Sequence, residues 1–127
     1  MALFTHVVLG TNDLPRAQKF YDAIFGALGA QRVMERETST LYGTLAGPEF
    51  MITQPINGEP ATWANGGTVS FAAHSRSAVD AFHKAALENG GTDEGAPGPR
   101  PFTPTAYAAY VRDPDGNKLA TFCFLPA

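Results

Sequence analysis

A chain of 127 residues with 44% hydrophobic and 17% charged side chains has the composition of a folded domain. At this size folding buries about two-thirds of the extended chain's surface, which excludes disorder as the default state. Nine Lys and Arg against twelve Asp and Glu leave a net charge of −3, which offers no positive field to a phosphate backbone and argues against nucleic-acid binding.

The one cysteine, Cys123, has no intrachain partner and cannot make a paired-cysteine zinc site, which fits a reducing, cytoplasmic setting. MALFTHVVLG lacks the basic flank and cleavage signal of a targeting segment. No stretch reaches the roughly 20 apolar residues that cross a bilayer, so no membrane association is expected. In chain order, Leu3 to Gly10 reads as a buried strand. A helix follows, with Asn12 or Asp13 as N-cap and Pro15 in its first turn. Leu14, Ala17, Phe20, Tyr21, Ile24, Phe25 and Leu28 recur every three or four residues as one apolar stripe, and Gly29 ends it. Three extended segments come next, Gln31 to Glu37, Thr40 to Ala46 and Glu49 to Gln54, before a Pro-, Gly- and Asn-rich connection from Pro55 to Gly67.

The order βαβββ then repeats. Thr68 to Ala73 is strand-like, and Ser77 with Asp80 three positions on has the pattern of a capping box opening a second helix. Gly90 to Pro104 is Gly- and Pro-rich, with room for a short irregular strand only. Thr105 to Arg112 and Lys118 to Leu125 follow as strands, joined by a tight turn at Asp113-Pro-Asp-Gly116. Val7 aligns with Val69, Leu9 with Phe71, Phe20 with Phe82, Phe25 with Leu87 and Gly29 with Gly91. Halves this short do not bury a comfortable core alone. The expectation is one domain over 1–127: module 1 over about 1–56, a linker over 57–66 and module 2 over about 67–127.

THVVLGTNDLPRAQKFYDAIFG, GGTVSFAA before a helix, and YVRDPDGNKLATF resemble the vicinal oxygen chelate superfamily, which includes glyoxalase I, bleomycin-resistance proteins and extradiol dioxygenases. The resemblance implies an α+β fold in which two βαβββ modules form a U-shaped mixed sheet around a cavity, with helices on the outer face, often in a homodimer. It also implies where a metal would sit, on the first and last strands of each module. Carried onto this chain, those positions are His6, Met51, Thr68 and Ala120. Only the imidazole is a ligand, and Glu49, on the same strand face as Met51, is the one further candidate. Two donors fall short of the three or so that hold a catalytic ion. The expectation is therefore no cofactor, with His6 and Glu49 the metal candidates if that is wrong.

Strand alternation puts Val7, Leu9, Phe50, Ile52, Val69, Phe71, Leu119 and Cys123 under the helices. The other face carries His6, Glu49, Met51, Thr68, Ser70, Lys118, Ala120 and Phe122, a mixture of apolar walls and hydrogen-bonding groups that suits a small organic ligand. The resemblance adds Tyr110 to this pocket. Trp63, Phe102 and Tyr107 are rim or lid candidates, or else simple hydrophobic cover. His83 lies on the second helix stripe and reads as packing. The leading expectation is a metal-free protein that binds a small organic molecule. The alternative is a metal-dependent lyase or dioxygenase of the glyoxalase I type, or a metal-free enzyme with His6 as general base.

Overall fold

The computed structural model describes residues 3–44 and 47–127; Leu45 and Ala46, at the end of the second extended segment of module 1, lie outside the described residues. The elements in order are β1 (His6–Gly10), α1 (Leu14–Leu28), β2 (Gln31–Glu35), β3 (Ser39–Gly43), β4 (Glu49–Thr53), β5 (Val69–Ala72), α2 (Arg76–Glu88), β6 (Thr92–Pro99), β7 (Tyr107–Arg112) and β8 (Lys118–Cys123). They form an α+β fold of two four-stranded mixed sheets, ordered β1-β4-β3-β2 and β5-β8-β7-β6. In each, the first strand runs parallel to the last and the other neighbours are antiparallel. The two βαβββ modules are paired as expected, each building one of the two sheets, and no ladder joins the sheets across the seam among the described residues. None of the described helices is long and apolar enough to cross a membrane.

Local chemistry sets the helix ends. Asp13 caps α1 by accepting from the Arg16 N–H, and Gly29 closes it in the left-handed region at φ 80°, where a side chain would be strained. Asn12 does different work: its side-chain amide pairs both ways with the backbone of Ala61, fastening the connection to the start of α1. In α2 the cap is Ser75 rather than Ser77. The Ser75 hydroxyl accepts from the Ala78 N–H, which leaves Ser77 inside the first turn and frees Asp80 to accept from the Tyr107 hydroxyl. The left-handed glycine after α2 is Gly90, not Gly91. Gly91 is needed for space: a Cβ there would lie 2.7 Å from Phe20 Cε1 and 2.8 Å from two backbone carbonyls.

Both modules contribute to one core. Leu14, Phe20, Tyr21, Ile24 and Phe25 of α1 pack with Tyr42, Phe50 and Ile52 of the first sheet and with Phe82, Val111 and Leu119 of module 2. Phe20 and Phe82, paired by the internal repeat, are both fully buried, and each such side chain contributes about 1.5–3 kcal/mol. The repeat fails at Phe25 and Leu87, since the first is buried and the second is 43% exposed. Cys123 is buried beside Val79 and Ala109.

The Asp-Pro-Asp-Gly turn is more than a turn. Asp113 is buried and accepts from the Tyr21 hydroxyl, from Asn117 Nδ2 at 2.8 Å and from the backbone N–H groups of Asp115 and Asn117. Asp115 accepts from the Thr11 hydroxyl, the Asn12 N–H and Arg16, while Asn117 donates to the Gly10 carbonyl. This cluster ties the end of β1 and the start of α1 to module 2.

The Gly- and Pro-rich segment after α2 forms the eight-residue strand β6, longer than its composition implies. Its ladder with β7 skips between Asp93 and Gly95 and between Gly95 and Gly98. Pro97 falls in the second skip, where its missing N–H is not required.

Candidate functional site

The face of each sheet away from the helices is set by alternation, since the opposite-parity residues fill the core. Register then arranges its side chains in rows. His6 stands beside Glu49 and Val8 beside Met51 on β1 and β4. On the second sheet Ser70, Ala120 and Tyr110 form one row, and Ala72, Phe122 and Ala108 form the next. Thr68 and Lys118 sit one position before the first pair of that ladder, Val69 with Leu119.

A cavity of about 510 Å³ opens at the seam between the sheets. Its floor is apolar and aromatic, from Phe25, Leu28, Phe50 and Phe71. Phe71 meets Phe25 and Phe50 edge-on, with ring centres 5.0 and 5.5 Å apart. One bank carries Thr68, Ser70 and Ala72, and the other carries Gly43, Thr44 and Glu49. A Cβ on Gly43 would lie 3.0 Å from Glu49 Cγ, so the glycine leaves room for the Glu49 side chain to lean over β3. That strand lies on the far side of β4 from His6.

The proposed pocket residues do not all meet in this cavity. Thr68 and Ser70 line it. Met51 is half-buried on the same face of the first sheet, and His6 is exposed, its Nδ1 3.0 Å from the Thr5 hydroxyl. Ala120 is fully buried opposite Tyr110. Tyr110 and Phe122 belong to an aromatic cluster farther across the second sheet, edge-on to each other at 5.9 Å. Phe102 joins that cluster against Phe122 at 5.8 Å and Phe124 stacks on Phe122 at 5.5 Å. Trp63 lies against Gly116, whose added Cβ would come within 2.6 Å of the indole, so it covers the β7–β8 turn. Tyr107 has the other parity and faces the helix, where its hydroxyl donates to Asp80 and Arg76 lies over its ring at 5.0 Å. His83 pairs with Asp93 at 2.9 Å, a bond that holds the Asp93 carboxyl below its ordinary range.

Sequence reasoning missed the aromatic floor, because Phe25 lies on the buried stripe of α1 and Phe50 and Phe71 carry the core parity of their strands, so all three read as core although they also line the cavity. It also missed Phe124 and Arg100. Two-residue spacing from Phe122 was a usable signal for the first; nothing local marked the second.

The donor set does not fit a catalytic metal. Of the four positions implied by resemblance, only His6 carries a ligand, and the nearby Glu49 leans away from it. Module 2 offers Thr68, Ser70, Lys118 and Ala120 on its matching strands, with neither imidazole nor carboxylate. Among the described residues no three His, Cys, Asp or Glu side chains gather as a metal site, against the three or so protein donors such an ion takes.

Comparison with known proteins agrees with this architecture. A crystal structure of a glyoxalase/bleomycin resistance protein from Albidiferax ferrireducens T118 is 46% identical, with a TM-score of 0.88 over 96% of this chain and 98% of that one. A glyoxalase-related enzyme from Fulvimarina pelagi has the same fold at 18% identity and a TM-score of 0.76, covering 97% of this chain and 88% of its own. A glyoxalase/bleomycin resistance protein/dioxygenase family enzyme from Burkholderia phytofirmans PsJN matches at 19% identity and a TM-score of 0.73, over 95% and 98% of the two chains. No curated protein matches the chain. The family model of the Glyoxalase/Bleomycin resistance protein/Dioxygenase superfamily matches residues 3–121, and the chain belongs to that superfamily.

Proposed function

We propose that this protein binds a small organic molecule at the seam between its sheets, without a catalytic metal. The observation that carries this reading is the cavity of about 510 Å³, with an aromatic floor and only a few polar groups, Thr44, Glu49, Thr68 and Ser70, at its banks. Small-molecule sites have volumes of about 300–1,000 Å³, apolar walls and a few placed hydrogen-bonding groups. A homodimer belongs to the same proposal: Leu3, Phe4 and Leu125 are all more than half exposed, which is apolar surface for a second copy to cover.

Ser70→Phe tests the site, because an aromatic side chain on that bank fills the cavity from one edge. Thermal-shift and calorimetric titrations with a panel of aromatic compounds are expected to show saturable binding to the native chain and its loss in the variant. Equal binding by both proteins would contradict the location.

A second reading rests on His6 itself, an exposed imidazole on β1 whose Nδ1 lies 3.0 Å from the Thr5 hydroxyl. In that reading His6 acts as a general base without a metal. Turnover abolished by His6→Ala, in protein stripped of metal, would favour it over simple binding.

A further inference from the structure

The second sheet carries a cluster that the cavity alone does not explain. Phe122, Phe124 and Phe102 lie together on its face away from the helices, and Phe102 and Phe124 are 66% and 55% exposed. Two cations border this shelf. Lys118 Nζ lies 5.4 Å from the Tyr110 ring centre and Arg100 Cζ lies 5.5 Å from it. Tyr110 in turn meets Phe122 edge-on, so charge and rings form one continuous surface.

Six of the nine Lys and Arg have no acidic partner among the described residues, and Lys118 and Arg100 are the two of these that lie over the Tyr110 ring. Arg16, Arg32 and Arg112 are each in an ion pair. Among the described residues no carboxylate pairs with Lys118 or Arg100. Arg100 donates instead to the carbonyls of Ala96 at 2.8 Å and Gly98 at 3.0 Å, contacts that hold its guanidinium beside Tyr110. Arg112, the remaining cation of this face, is already neutralised by Glu94 at 2.8 Å. In a chain with a net charge of −3, this face therefore carries uncompensated positive charge next to exposed rings. Such a surface attracts anions, repels cations and offers ring faces for stacking. Thr68 stands beside Lys118 on the neighbouring strand and lines the cavity, so the charged end of the shelf adjoins its bank.

Resting on the reading of the chain as a small-molecule binder, we propose that its ligand class is a planar aromatic anion. The ligand reaches from the Thr68 bank of the cavity onto the rings of Tyr110 and Phe122, and its carboxylate, sulfonate or phenolate is held at Lys118, with Arg100 contributing to the field. A flat anionic ligand uses both halves of this surface. A neutral aromatic uses only the rings, and an aromatic cation is disfavoured by Lys118.

Calorimetric titration with 2-naphthoate, 2-naphthamide and 2-naphthylmethylammonium tests this, because the three share a ring system and differ in charge. The native chain is expected to bind 2-naphthoate about tenfold or more tighter than the amide, with that preference shrinking as salt rises. Lys118→Gln is expected to remove the preference, and Lys118→Arg to restore it. Phe122→Ala is expected to weaken all three ligands. Equal binding of naphthoate and amide, or an unchanged preference in Lys118→Gln, would overturn the inference while leaving the small-molecule reading in place. Failure of all three compounds to bind would overturn both.

Discussion

Asp113 shows how much one side chain can carry. Burial pushes its carboxyl above the ordinary carboxylate range, against the opposing effect of its bonds from Tyr21 and Asn117. A carboxyl raised in the folded state contributes stability that is fully present below its unfolded pKa and is lost as the pH rises through the folded one. Relative to Asp113→Asn, which cannot titrate, the native chain should therefore gain stability as the pH falls from neutral towards the usual aspartate range. Urea melts at a series of pH values check this, and a difference that stays constant or reverses would contradict it. Asp22 works in the opposite direction. Burial pushes its carboxyl up, but bonds from Arg32 and Tyr42 outweigh burial and hold it below its ordinary range, so its contribution is lost as the pH falls through that lowered value. Tyr21→Phe removes a donor to a buried carboxylate and is expected to cost about 1.5–3 kcal/mol, measured by the same melts. None of this was legible in the sequence. Asp113 and Asp115 read as turn residues, and their partners Tyr21 and Thr11 lie 92 and 104 positions away, beyond any local pattern.

At the scale of elements, the helix stripes and strand alternation carried most of the architecture, because periodicities of 3.6 and 2 report directly which face is buried. Reading failed where local rules have competitors. Ser75 and Ser77 both suit an N-cap, and only the backbone geometry of Ser75 selects it. Ser75→Ala should therefore cost about 1 kcal/mol and Ser77→Ala much less in thermal melts, and the reverse order would contradict the assignment. Glycine and proline concealed β6, whose pairing to β7 tolerates them at its irregular positions. The same poor local signal left the parity of Tyr107 undetermined, which is why a residue facing α2 was a candidate for the rim. Gly91 is a packing requirement between α1 and the end of α2. Gly91→Ala meets backbone as well as Phe20 and is expected to destabilise by about 1–3 kcal/mol.

For the whole molecule, the shared core and the Asp-Pro-Asp-Gly cluster predict that the modules unfold together, as one transition in calorimetry. Asp115→Ala deprives Thr11, Asn12 and Arg16 of their acceptor and should lower that transition; a second, separate transition in the native chain would contradict the coupling. The superfamily was legible in the sequence because its strands, helices and turn recur along nearly the whole chain. The site was legible only in part, since the seam and the shelf arise from how two sheets sit together and not from any one strand. The central claim is that an organic molecule is held here by rings and hydrogen-bonding groups with no inner-sphere metal. Calorimetric titration of chelator-dialysed protein with 2-naphthoate, repeated after adding Ni²⁺ or Zn²⁺, tests it most directly. The account predicts saturable binding of the same affinity in both titrations; binding that appears only once metal is supplied would contradict it.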